Sequence, residues 1–195
     1  MDSIVGLIVN QMSSGAVSQI SQQIGVDEDK AQQAVGMALP LIVGALNRNA
    51  SSASGAEALT GALERDHDGS ILENLSGAVT RQETLADGSA ILQHVLGDRQ
   101  SKVTNQVGKA TGMDADQITK IFAMLAPIVL GALGQMKKKK ELDAGGVSKL
   151  LQEERSTIEK SSSNLTQLLD FDGDGDVSDE IISLGSNILG GLFGK

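Results

Sequence analysis

The sequence predicts an all-α protein, and three observations carry that prediction. Apolar residues recur at helical spacing, and no stretch sustains the two-residue alternation with turn glycines that a hairpin of strands requires. Aromatic side chains are nearly absent, with three Phe and neither Trp nor Tyr, while glycine reaches 23 residues. Such a core is filled by Leu, Ile, Val, Ala and Met, as suits helices in close contact. The third observation is a pair of near-identical apolar segments, "ALPLIVGAL" at 38–46 and "LAPIVLGAL" at 125–133. The two prolines of the chain, Pro40 and Pro127, lie one in each, four residues before Gly44 and Gly131.

In chain order, the opening "MDSIVGLIVNQM" places acid where a signal peptide carries positive charge. A leaderless, cytoplasmic protein is expected. Val17, Ile20 and Ile24 then mark a short helix by their spacing. Gly25, Val26 and Asp27 open a long helix over 27–47, with Asp27 placed to cap it and more acid in its first turn where the helix dipole favours it. "NRNASSASGA" at 47–56 is small and polar and reads as a loop, and "AEALTGALER" at 56–65 as a short helix. Asp-Gly at 68–69 signals a turn, and Ser70 with Glu73 has capping-box spacing for a helix. Asp-Gly recurs at 87–88, with Ser89 expected to cap a helix that carries Ile91, Leu92, Val95 and Leu96.

Val103 and Val107 mark the next short helix, and Gly112, Met113 and Asp114 open a second long one over 114–138. A shift of 87 positions lays Gly25, Asp27, Asp29, Met37, Pro40, Gly44, Ala45 and Leu46 on Gly112, Asp114, Asp116, Met124, Pro127, Gly131, Ala132 and Leu133. The repeated unit is a helical hairpin, short helix into long helix. An interior proline removes a hydrogen bond and its ring collides with the carbonyl four residues back, bending a helix at about 3 kcal/mol. Those earlier positions hold Gly36 and Ala123, both small. Two proline-bent central helices are therefore expected to wrap one another, with Gly44 and Gly131 allowing close approach. The alternative is that each proline divides two shorter helices. The expected units are 1–86, 87–160 packed on it, and 161–195.

Lys137–Lys140 follow the second long helix and suit its negative end. "VSKLLQEER" at 147–155 echoes the short helix at 56–65. The longest apolar run, 121–133, is too short to span a membrane, so no transmembrane segment is expected. A net charge of −9 repels phosphate backbones, which argues against nucleic-acid partners. With no cysteine, disulfides, thiolate metal sites and cysteine nucleophiles are excluded.

The segment richest in chemistry is "LLDFDGDGDVSDEII" at 168–182. Asp170, Asp172 and Asp174 alternate, Gly175 takes the sharp-turn position, and Asp176 can offer its backbone carbonyl. Hard oxygen ligands at alternate positions about a glycine turn are what calcium coordination requires, with magnesium the less suited ion. The twelfth position, normally a bidentate glutamate, is Ile181, so closure of the coordination sphere falls to Asp179 or Glu180. A solvated acidic turn is the alternative. The last segment carries Ile181, Ile182, Leu184, Ile188, Leu189, Leu192 and Phe193 among glycines, as a docking helix or an adhesive tail.

Histidines are the remaining candidates for chemistry. His67 in "RDHDG" is expected to be exposed in a turn, and His94 to lie on a helix surface or partly buried. Catalysis would need a cleft that gathers His94 with carboxylates. No nucleophile elbow, phosphate-binding loop or dinucleotide fingerprint occurs. With the duplicated Pro/Gly helices, "DGSAILQHVLG", "DFDGDGDVSDEI" and the end "ILGGLFGK", the chain resembles the bacterial domain-of-unknown-function family 937 and, distantly, YidB-like proteins. That resemblance implies a bacterial source and an all-helical fold. It implies no activity and transfers no catalytic residues. The expected role is a non-enzymatic structural or interaction protein, a homo-oligomer or filament with a calcium-type loop. The alternative is a calcium-responsive regulatory module that recruits another protein.

Overall fold

A computed structural model describes residues 3–12 and 15–161 of the chain. In order they form α1 (Ile4–Met12), α2 (Ala16–Ile24), α3 (Glu28–Asn49), α4 (Ala53–Arg65), a 3₁₀ turn (Ser70–Asn74) leading into α5 (Leu75–Thr80), α6 (Gln82–Val95), a second 3₁₀ turn (Gly97–Arg99), α7 (Gln100–Thr111), α8 (Ala115–Lys140) and α9 (Ala144–Ser161). Among the described residues there is no strand. Over these residues the fold is all-helical.

The two long helices begin at matching corners. Gly25 and Gly112 both take the left-handed conformation that glycine adopts without steric cost, with φ of 76° and 67°. Their N–H groups donate to the carbonyls of Ser21 and Gly108, closing α2 and α7. Asp27 and Asp114 follow in extended backbone at the N-cap position. Only Asp114 caps with its side chain, accepting from the Gln117 N–H at 2.7 Å while Gln117 Oε1 accepts from the Asp114 N–H at 3.1 Å. Asp27 makes no such bond, and α3 starts from its extended backbone with Glu28 and Asp29 in the first turn.

Both long helices run unbroken through their prolines, so neither proline divides its helix in two. Ala34 to Leu46 of α3 and Ile121 to Gly134 of α8 are buried without interruption. A helix apolar on all sides belongs in the middle of a fold, and α3 and α8 pack against each other with the other helices around them. By length and composition α8 would suffice to cross a membrane, but 83% of its apolar window is covered by the rest of the chain. All four lysines, Lys137 to Lys140, fall in its last turn. Residues 86 and 87 are consecutive within α6.

One face of α8 explains why small residues stand at Ala123, Gly131 and Gly134. A Cβ on Gly134 would lie 1.8 Å from the carbonyl oxygen of His67, and one on Gly131 would lie 2.4 Å from Ile71 Cγ2. Gly88 meets Ala123 in the same way, its virtual Cβ 1.7 Å from the Ala123 carbonyl oxygen. The chain from His67 to Gly88 therefore lies along α8, antiparallel to it. Gly131 admits this segment, and the close approach to α3 expected of it is not what its small size serves.

Gly88 also corrects the reading of "DGSAIL" as a turn. Asp87, Gly88 and Ser89 are interior to α6, whose buried Thr84, Gly88 and Leu92 form one row at four-residue spacing. The other Asp-Gly does turn: Gly69 has φ of 100°, and Asp68 Oδ1 accepts from the Ser70 N–H at 3.0 Å. The N-cap position of the following 3₁₀ turn is Gly69, so Ser70 is not the cap its spacing with Glu73 suggests. The polar stretch 47–56 is mostly helix, since α3 extends to Asn49 and α4 begins at Ala53, capped by Ser52 Oγ accepting from the Gly55 N–H.

The first turn of α1 is held by a distant acid. Glu154 of α9, buried, accepts through Oε1 from Ser3 Oγ at 2.5 Å and from the Val5 N–H at 3.0 Å. Those donors belong to a helix N-terminus, where N–H groups lack intrahelical partners and negative charge is favoured. Glu154→Ala strands the Val5 N–H and is expected to destabilise the protein by about 2 kcal/mol, against less than about 1 kcal/mol for Glu154→Gln, which keeps the accepting oxygen. Urea denaturation of the two variants checks this.

Candidate functional site

Among the described residues, an apolar groove of about 360 Å³ offers a concave surface. Gly55, Ala58, Leu59 and Ala62 of α4 form one wall. Ala90, Ile91, His94 and Val95 of α6 form the other, over a floor made by Leu46 of α3 and Leu130 of α8. Asn49 and His67 complete the lining. The floor is buried, whereas Leu59, Ile91 and Val95 are only half covered and Ala58 and Ala90 are exposed at the lips.

The walls are fixed by specific bonds. Asn49 Nδ2 donates to the carbonyls of His94 and Val95, both at 3.3 Å, satisfying two of the carbonyls that the end of α6 leaves without intrahelical partners. On the other side, Lys137 of α8 holds Glu64 of α4 at 2.8 Å. The hydrogen bond from Lys137, with its charge, keeps the Glu64 carboxyl below the usual carboxylate range. Gly55 lies so close to the end of α3 that a Cβ there would be 1.8 Å from the Asn49 carbonyl oxygen. That contact sets where α4 departs from α3.

Both histidines face this groove. His67 is half-buried, not exposed as expected, because its backbone packs on Gly134. Burial lowers its pKa, with Asp66 and Asp87 opposing the shift, so the ring stays neutral to lower pH than a free imidazole. His94 is exposed on α6, and its Nδ1 lies 3.2 Å from the Ala90 carbonyl. A carbonyl only accepts, so Nδ1 is the donor. No lining residue is a carboxylate, so the groove does not gather His94 with the acids that acid–base chemistry would need.

The predicted metal ligands Asp170, Asp172, Asp174, Asp176, Asp179 and Glu180 lie outside the described residues. Among the described residues no group of three or more His, Cys, Asp or Glu side chains is placed to hold a metal ion. Sequence reading missed the groove because its lining comes from four helices. The available signal was α4 itself: Ala56 and Leu63 are buried, yet Ala58, Leu59 and Ala62 supply further apolar surface on its groove side.

No match was found among curated proteins or among solved structures. The family described as a bacterial protein of unknown function, DUF937, matches residues 6–136 and again residues 136–195. With those two matches running from residue 6 to the last residue, the chain belongs to the DUF937 family.

Proposed function

We propose that the protein is a non-enzymatic interaction protein that self-associates, and that the groove between α4 and α6 is a surface on which it takes up an apolar segment. The observation that supports this reading is the lining, in which Leu46, Leu59, Ile91, Val95 and Leu130 dominate and no carboxylate, hydroxyl or amine is present. A concave apolar surface of this kind gains free energy by covering other apolar groups. In this reading the body is a duplicated helical hairpin with proline-bent central helices, over 1–86 and 87–160. The matching Gly25–Asp27 and Gly112–Asp114 corners support it. The third unit, 161–195, is an EF-hand-like acidic loop and C-terminal helix, with calcium the preferred ion and magnesium the weaker one. The net charge of −9 disfavours nucleic-acid partners, and the location proposed with this reading is cytoplasmic.

A second reading, a calcium-responsive module that recruits another protein, is favoured by one observation: the acids at 170–180 directly precede the apolar stretch from Ile181. Sedimentation velocity over a wide concentration range tests the first reading. Species larger than the 20.2 kDa chain are expected as concentration rises, and a single monomer throughout would overturn self-association. Calorimetric titration with calcium should release heat and yield an affinity weakened about tenfold or more by Asp172→Asn. A flat titration at millimolar calcium overturns the ion site. Calcium-dependent exposure to a hydrophobic dye would favour the regulatory reading.

A further inference from the structure

We infer that the groove between α4 and α6 is covered by the chain's own C-terminal apolar segment, Ile181–Phe193, folded back in cis. The inference rests on the reading of that groove as a binding surface. Chemical match is the first argument. The groove lining carries no carboxylate, Lys or Arg. The segment 181–193 likewise has no charged residue, and Ile181, Ile182, Leu184, Ile188, Leu189, Leu192 and Phe193 supply apolar surface enough to fill a cleft of about 360 Å³. Both surfaces are unfavourable in water, and each covers the other.

Reach is the second argument. Near its start, α9 touches the end of α3, where Ser148 Oγ donates to the Ala50 carbonyl at 2.9 Å. Asn49 and Gly55 of the groove lie next to that point in the chain. Ser161 is 13 residues beyond Ser148, or about 20 Å along the helix axis. Residues 162–180 span up to about 60 Å when extended, three times the distance back along α9. A tether of this length holds its end at an effective concentration on the order of millimolar. At micromolar protein the segment of the same molecule therefore outcompetes that of a neighbour. Exchange of the same contact between copies, at higher concentration, would give the assembly proposed above.

The chain has no cysteine, so a single introduced pair reports the contact without background. The full-length Ala58→Cys/Asn187→Cys variant places one thiol on the exposed lip of the groove and spares every apolar residue of the segment. Under mild oxidation at micromolar protein, a disulfide is expected within the monomer at a rate independent of protein concentration. That rate should exceed by about tenfold or more that of Gln93→Cys/Asn187→Cys, whose Gln93 is exposed on α6 outside the lining. Adding Ala90→Glu, which sets a charge in the groove, should slow the first pair by a similar factor. Equal rates for the two pairs, or no effect of Ala90→Glu, would overturn the inference. So would a disulfide that forms only between copies, which would leave self-association standing. A fast intrachain disulfide in a protein that sediments as a monomer at every concentration supports the docking and removes self-association.

Discussion

Gly88→Ala is expected to destabilise the protein by about 3 kcal/mol or more, although the same change at an ordinary helix position stabilises by about 0.5–1 kcal/mol. The sign reverses because of what the new methyl meets. Its Cβ would lie 1.7 Å from the carbonyl oxygen of Ala123, 2.6 Å from the carbonyl carbon and 2.9 Å from the Cα. All three atoms are backbone of α8, whose burial on every side leaves it nowhere to move. The whole of α6 must lift instead, uncovering Leu92 and loosening the groove wall formed by Ala90, Ile91, His94 and Val95. Gly61→Ala in α4 is the control, since only the flexible Arg65 guanidinium lies near, at 3.1 Å, and a gain of about 0.5 kcal/mol is expected there. Urea denaturation of both variants checks the pair. A Gly88→Ala protein within about 1 kcal/mol of the parent would show that α6 does not lie against α8 at backbone distance.

The same residue shows what the sequence made legible and what it hid. The two long helices were read to within two residues at each end because their corners carry local instructions: a left-handed glycine, an apolar residue and an aspartate. Asp-Gly occurs at 68–69 and 87–88, and identical local chemistry gives a turn in one place and helix interior in the other. The difference lies on α8, where Ala123 receives Gly88 and Gln135 lies against Gly69. Nothing within a few residues of either dipeptide reports that partner. The groove was hidden for a related reason. Its floor pairs Leu46 with Leu130, and its walls belong to helices that the chain enters at residues 53 and 82. Its apolar lining residues, taken one at a time, are ordinary positions on four separate helices, and nothing local reports that they converge. The acidic loop is the opposite case, where spacing of side chains along one short segment supplies a chemical proposal without any fold.

Phe122→Ala is expected to cost about 3–5 kcal/mol, the upper range for truncating a buried ring. The chain has three phenylalanines and no other benzenoid or indole side chain. Phe171 and Phe193 lie outside the described residues, so Phe122 is the one such ring in the described core, and it is fully buried. Its helical neighbours Ile118, Leu125 and Ala126 are also completely covered. Small, branched side chains held on a central helix cannot swing into a ring-sized void, so the cavity term is paid nearly in full. Phe122→Leu keeps most of the volume and is expected to cost no more than about 1.5 kcal/mol. Phe122 is adjacent in the chain to Ala123, the seat of Gly88, so the two perturbations act on one stretch of α8 and their effects should not simply add. Movement of α6 away from α8 in the Gly88→Ala protein should already loosen the packing near the ring. The double variant is then expected to lose less than the sum of the two single losses, as measured by denaturation midpoints at constant slope. Strict additivity would instead mean that the ring and the α6 seam belong to separately packed parts of the core.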